Sequence, residues 1–245
     1  MLRIAIMGAG RMGSLIRATA EAARDGAGGA RFQVVAQVGY DPAEAALAEA
    51  ADVLLDFSNA SCLDAALAYA RSARCAVVEG TTGYTEGQME QLRALGRELP
   101  VVWSGNYSVG VAALRHLVAQ AARELPGFDV EIVECHHAAK ADAPSGTARM
   151  LLDEVTAARD GTVRPVYGRS GMCGARDAAE VGVHAVRGGT VAGVHTVMLL
   201  GDDEEVTLAH RAASRQIFVN GALEAAQRLA GRPAGFYTFD ELMFS

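Results

Sequence analysis

Cysteine, proline, aromatic side chains and positive charge are all in short supply in this chain, and each shortage removes a class of protein. The four cysteines, Cys62, Cys75, Cys135 and Cys173, form no CxxC pair, so neither a disulfide scaffold nor a cysteine-held metal is expected. The first residues, Met1-Leu2-Arg3-Ile4-Ala5-Ile6-Met7-Gly8, hold no long apolar stretch before the first glycine. They read as a strand rather than a signal peptide, which points to reduced thiols and a cytoplasmic location. Lys and Arg number 22 against 29 Asp and Glu, for a formal net charge of −7. A nucleic-acid binder carries a basic footprint, so no nucleic-acid partner is expected. No apolar run reaches the roughly eighteen residues that span a bilayer, so no membrane association is expected either.

What is present is a large apolar fraction, 51% of 245 residues, with 27 glycines. That much apolar surface excludes disorder, and the length suits one large domain or two modest ones. Over the first hundred residues, short apolar runs at Leu2–Met7, Phe32–Val38, Val53–Phe57, Cys75–Val78 and Val101–Trp103 alternate with helical patterns at Leu15–Ala23, Cys62–Ala70 and Met89–Leu99. Near-continuous apolar strands separated by helices predict a parallel sheet covered on both faces. After about Tyr107 the pattern changes. A helix is expected at Val109–Leu125, a strand at Asp129–Glu134, a polar loop at His136–Gly146 and a helix to about Ala158. Strands follow at Val181–Val186, Val194–Leu200 and Val206–Arg211, with turns at Gly188-Gly189 and Gly201-Asp202-Asp203 that suggest hairpins. Gly168–Ala179 reads as a mobile loop. The fold class is therefore α/β, a Rossmann-type doubly wound sheet over residues 1–107 plus an α+β domain over 108–216 with a mixed or antiparallel sheet. A carboxy-terminal helix, 217–245, is expected to pack back on the first domain.

Four segments carry chemistry. Gly8-Ala9-Gly10-Arg11-Met12-Gly13 is a GxGxxG directly after a strand and opening a helix. Such glycines let a pyrophosphate approach free N–H groups at the helix start, although they also serve close helix–strand packing. The acid that usually binds ribose hydroxyls at the end of the second strand is displaced here to Asp41 or missing, because Gly39 and Tyr40 occupy its place. Gly80-Thr81-Thr82-Gly83 and Ser104-Gly105-Asn106-Tyr107-Ser108 follow the fourth and fifth strands, where open α/β sheets bind ligands. The plainer readings are a turn with capping threonines and an Asx turn at Asn106. The fourth segment, Glu134 to Ala148, gathers His136, His137, Lys140 and a Ser145-Gly146-Thr147 helix start. An N-cap serine leaves the N–H groups of Gly146 and Thr147 facing outward for a carboxylate, and a histidine or lysine can supply a proton. The alternative is a solvated loop before a capped helix. Zinc is disfavoured, since adjacent ligands rarely reach one ion.

The segment resembles the E-x-H-H-x-x-K-x-D-x-P-S-G-T-A signature of the 4-hydroxy-tetrahydrodipicolinate reductases (dihydrodipicolinate reductases). Gly80-Thr81-Thr82-Gly83-Tyr84 and Asn106-Tyr107-Ser108-Val109-Gly110 are similar to that family's GTTG[FY] and N[FY]SxG. Val186-Arg187-Gly188-Gly189, Gly193-Val194-His195-Thr196, Ala213-Ser214-Arg215 and Asn220-Gly221-Ala222 extend the likeness over nearly the whole chain. Three positions depart from it: the glycine loop is one residue shorter than GxxGRMG, Gly39 replaces an acid, and Ala139 stands where a histidine is common. The resemblance implies NADH- and/or NADPH-dependent reduction of a cyclic dicarboxylate in lysine and diaminopimelate biosynthesis. His136 would be proton donor and acceptor, and Lys140 a second donor. His137, Ser145, Gly146 and Thr147 would bind substrate, and Gly8–Gly13, Gly80–Thr82 and Ser104–Tyr107 the nicotinamide cofactor, with no metal. It also implies a homotetramer joined through the second domain's sheets, with domain closure near Ser108 and Arg215. Two rivals stand beside this reading. One is another two-domain nicotinamide oxidoreductase such as an amino-acid dehydrogenase; the other is a dinucleotide-sensing regulator without turnover.

Overall fold

A computed structural model describing residues 1–244 divides the chain into two compact units, Met1–Ser108 with the segment from Gln216 onward, and Val109–Arg215. Among the described residues no helix is long and apolar enough to cross a membrane.

The first unit runs β1 (Leu2–Met7), α1 (Arg11–Ala22), β2 (Phe32–Val38), α2 (Pro42–Ala45), β3 (Val53–Asp56), α3 (Leu63–Ala73), β4 (Ala76–Glu79), α4 (Glu86–Leu95) and β5 (Pro100–Trp103). Their sheet has the order β11-β5-β4-β3-β1-β2, with every pairing parallel; β11 is the short strand Gly235–Tyr237. Every residue of β3 and of β4 is buried, which is why these strands lack an apolar–polar alternation. The sheet is the Rossmann-type parallel sheet expected from the sequence.

The second unit holds α5 (Val109–Glu124), β6 (Asp129–His136), α6 (Gly146–Ala158), β7 (Arg164–Val166), β8 (Glu180–Arg187), β9 (Gly193–Leu200) and β10 (Glu205–Ala212). Its sheet is mixed, in the order β10-β9-β6-β8-β7. Burial alternates strictly along β6, with Val130, Ile132, Glu134 and His136 on the covered face. Leu114 and Val118 of α5 and Leu151 and Val155 of α6 pack with Val130, Ile132, Val181 and Val197 of the sheet. A two-residue period thus brings Glu134 and His136 to the helix-covered face.

Three expectations need correction. The β8–β9 connection is not a hairpin: β6 lies between the two strands, antiparallel to β9 and parallel to β8. The carboxy-terminal segment is not one helix over 217–245. Helix α7 (Gln216–Leu229) stops before Gly231 and Pro233, then β11 extends the first sheet and α8 (Phe239–Phe244) follows. The loop 168–179 lacks regular structure but is tied down, because Arg169 pairs with Glu131 and Glu180, and Arg176 with Asp129 and Glu131.

Helix α7 packs on α1 and on β4 and β5 of its unit. A Cβ at Gly221 would stand 1.7 Å from the Tyr107 carbonyl oxygen, a backbone atom that cannot swing aside. Gly221→Ala is therefore expected to lose at least about 1–3 kcal/mol of stability by overpacking. A urea midpoint equal to wild type would refute this tight helix–loop contact.

Candidate active site

In the first unit the glycine loop is shaped by its neighbours. Gly8 has a φ of +110°, and a Cβ there would lie 2.6 Å from the Phe57 carbonyl oxygen. A Cβ at Gly13 would lie 1.8 Å from the Gly8 oxygen, so the third glycine of the motif does serve close packing. The first helix turn is left free: Gly10 caps α1 without a side-chain hydrogen bond, and no acid stands in that turn. Unclaimed N–H groups at a helix start favour a phosphate. Beside them opens a cavity of about 440 Å³ lined by Gly8, Gly10, Tyr40, Phe57, Ser58, Asn59, Ser61 and Cys62. It sits where the connections from β1 and β3 diverge, the switch point at which doubly wound sheets bind dinucleotides. These features fit a dinucleotide. The residues from Ser58 to Ser61 belong to no motif in the sequence; their place directly after the third strand is the available signal.

The other cofactor candidates lie as follows. Asp41 caps α2, its Oδ1 accepting from the N–H of Ala43 at 2.7 Å and of Glu44 at 3.4 Å. Thr81 is buried and its Oγ1 accepts from Ser58 N–H at 3.1 Å. Asn106 forms the Asx turn, accepting from Ser108 N–H at 2.8 Å. Tyr107 is buried, with its hydroxyl donating to the Glu79 carbonyl at 2.8 Å. Ser104 Oγ donates to the Asn106 carbonyl at 2.7 Å. Arg11 and Ala9 are exposed on the glycine loop, Met12 is half-buried, and Thr82 and Gly105 are exposed.

In the second unit the fully buried carboxylate of Glu134 gathers three groups. Its Oε2 lies 2.6 Å from His136 Nδ1, and its Oε1 accepts from Ser145 N–H at 3.0 Å. Arg187 donates to both oxygens at 2.7 Å. Burial works against the charge, but the Arg187, His136 and Ser145 donors together hold Glu134 below the usual carboxylate range. An ionised Glu134 fixes the His136 proton on Nδ1 and leaves Nε2 facing Gly193, where a Cβ would approach to 3.1 Å. Ser145 caps α6, its Oγ accepting from Ala148 N–H at 3.2 Å and lying 3.0 Å from His195 Nε2. The His136 and His195 rings meet edge to face at 5.1 Å. Glu134, Arg187 and His195 were legible only as letters of motifs, without roles. Nothing lies within 4 Å of a Cβ built at Gly146, so the first turn of α6 is open there. Lys140 pairs with Asp142 at 2.6 Å, and His137 is half-buried on the same loop. Among the described residues no group of three or more His, Cys, Asp or Glu is placed to hold a metal ion.

One unit presents unclaimed N–H groups suited to a dinucleotide's phosphates, and the other a positioned imidazole beside an open helix start. That division of labour defines the class, a nicotinamide-dependent oxidoreductase. Family models described as dihydrodipicolinate reductase N-terminus and C-terminus match residues 2–107 and 110–243. A 4-hydroxy-tetrahydrodipicolinate reductase of an Exiguobacterium species is 39% identical over 98% of this chain and 95% of that one. Another, of Staphylococcus aureus, is 43% identical over 78% of this chain and 79% of its own. A dipicolinate-bound dihydrodipicolinate reductase structure from Paenisporosarcina superposes with a TM-score of 0.77 at 22% identity, covering 99% of this chain and 100% of that one. The chain belongs to the dihydrodipicolinate reductase family, and it carries out the NAD(P)H-dependent reduction of 4-hydroxy-tetrahydrodipicolinate in lysine and diaminopimelate biosynthesis. The rival readings as another oxidoreductase or a silent regulator are not favoured.

Burial, then the proximity of His136, lowers His195 from its ordinary 6.5 to about 4. The unfolded chain thus binds a proton that the folded one refuses, so stability falls as pH drops from 6.5 towards 4. His195→Gln is expected to flatten that part of the urea-midpoint profile. An unchanged acid slope would show that His195 does not titrate this way.

Proposed function

We propose that His136 delivers the proton of the reduction from Nε2, with Lys140 as second donor. The substrate's carboxylates are held by the N–H groups of Gly146 and Thr147, with Ser145 and His137. The supporting observation is the Glu134–His136 contact, since a buried carboxylate on Nδ1 orients the ring and leaves Nε2 for proton transfer. Lys140 must leave Asp142 to reach a ligand; half of that ion pair is exposed, and such pairs are worth about 0–1 kcal/mol. Ala139 offers no histidine beside the lysine, so proton supply rests on these two residues. Gly8–Gly13, the loop after β3, Gly80–Thr82 and Ser104–Tyr107 would hold the cofactor, which when bound would supply the hydride. We further infer a homotetramer joined through the sheet face that α5 and α6 leave uncovered, and a cytoplasmic home in which the exposed free thiol of Cys173 stays reduced.

His136→Ala and Lys140→Ala should each lower kcat by roughly ten- to ten-thousand-fold, while the equilibrium Kd for NADH stays at the wild-type value. A double variant with wild-type turnover would remove the assignment.

Cofactor choice follows from the end of β2. A strong NADH preference needs an acid on both ribose hydroxyls, and a strong NADPH preference a base on the 2′-phosphate. Gly39 and exposed Tyr40 supply neither, and Asp41 is engaged in capping α2. The kcat/KM values for NADH and NADPH should differ by less than about tenfold, or about 1.4 kcal/mol. Steady-state assays at one ionic strength check this. A preference above about a hundredfold would mean that Asp41 grips the ribose, or that Arg11 reaches the phosphate.

A further inference from the structure

Asp56 and Glu79 end two neighbouring parallel strands, β3 and β4, as register partners, and both are fully buried. One oxygen of each is satisfied. Asp56 Oδ1 accepts from Ser58 N–H at 3.0 Å, from Thr81 Oγ1 at 3.3 Å and from the Ser58 hydroxyl. Glu79 Oε1 accepts from Thr81 N–H at 2.8 Å. The second oxygens, Asp56 Oδ2 and Glu79 Oε2, are buried with no hydrogen-bond partner, as is the hydroxyl of Tyr84. Two bare carboxylate oxygens cannot face each other in a dry interior, because each lacks a donor and their charges repel. One proton held between them would satisfy both carboxylate oxygens.

We propose that Glu79 is a positioning residue for the nicotinamide cofactor: the proton it shares with Asp56 clips the loop after β3, a wall of the dinucleotide cavity, to the end of β4. This rests on placing the dinucleotide in that cavity. Ser58 is the mechanical link, since it hydrogen-bonds Asp56 and Thr81 and also lines the cavity. Gly80 gives no slack, as a Cβ there would strike the Phe57 ring at 2.2 Å. Burial raises both carboxyls, and the Asp56 charge pushes Glu79 up further. The titratable groups facing the pair from the surrounding loops are Tyr84 and Tyr107, whose hydroxyls burial raises as well. β5 brings none, Arg3 lies near the opposite end of β1, and Tyr69 on the packed face of α3 donates to the Glu49 carbonyl instead. The charged residues of α3 and α7, Asp64, Arg71, Glu224 and Arg228, lie on their solvent sides. Losing the last shared proton leaves two buried charges on adjacent strand ends, so the clip opens as pH rises.

Equilibrium binding of NADH, read by nicotinamide fluorescence without substrate, tests this. In wild type the Kd is expected to climb by about tenfold per pH unit once the pair is fully ionised, because only the protonated pair presents a formed cavity wall. Glu79→Gln replaces the shared proton with a permanent amide donor and should bind NADH with a flat pH profile; Asp56→Asn should do the same should the first variant fold poorly. Glu79→Leu should weaken NADH at every pH while kcat at saturating cofactor stays near wild type. A flat wild-type profile, or Gln and wild-type profiles that rise together, overturns the proposal. Gly10→Glu tests the placement separately. It fills the cavity and should weaken NADH at all pH values, and its failure would indict the cavity rather than the acid pair.

Discussion

A single buried charge organises the second unit. Glu134 has no exposed surface, and an ion in that position survives only if donors replace the water it gave up. The donors come from three places: the ring of His136 two residues on, the backbone at the start of α6, and both arms of Arg187 at the end of β8. Arg187 also donates to the Asp142 carbonyl at 2.7 Å, which fastens the loop carrying His137 and Lys140. Meeting the needs of one carboxylate therefore fixes the imidazole's orientation, the start of the helix and the course of the loop together. Removing Glu134 would strand the Arg187 charge and free the His136 ring.

The strand order explains why so remote a set of residues can meet. β6 lies between β8 and β9, so its inward side chains border Arg187 on one side and His195 on the other. The same five strands joined as hairpins would have put Arg187 beside His195 and Glu134 at an edge. The parallel β6–β8 pairing, with α6 and β7 in the connection, is what brings the carboxylate and the guanidinium to the same end of the sheet.

The sequence made the first unit easy to read because its strands are apolar on both faces and its glycine loop has a fixed place after β1. It did not reveal β7 (Arg-Pro-Val) or β11, since three-residue edge strands are too short and too exposed to show a period, and proline is tolerated at an edge. Chain neighbours joined by Gly188-Gly189 looked like a hairpin because local turn chemistry says nothing of a third strand inserted between them. At the site, His136, Ser145 and Lys140 stood out by residue type. The spacing of Glu134 and His136 also implied a shared face, but the identity of the group that would neutralise Glu134 depended on a strand more than fifty residues away. Asp56 and Glu79 were equally visible as strand-end acids, and nothing local marked them as partners.

Two histidines share the covered face with their rings in contact, and the fold gives them opposite tasks by giving only one a counter-charge. His136 has the Glu134 carboxylate on Nδ1. His195 has the neutral hydroxyl of Ser145 on Nε2, no partner on Nδ1, and a burial that keeps it uncharged. Two imidazolium ions at that distance would repel in a low-dielectric interior, so assigning the carboxylate to one ring also decides that the other stays neutral. A neutral His195 can then serve the serine that caps α6, whose own oxygen is committed to Ala148. Open space remains beside Gly146, the next residue. The orientation of the His136 ring and the start of α6 are thus both set by where one buried negative charge is placed.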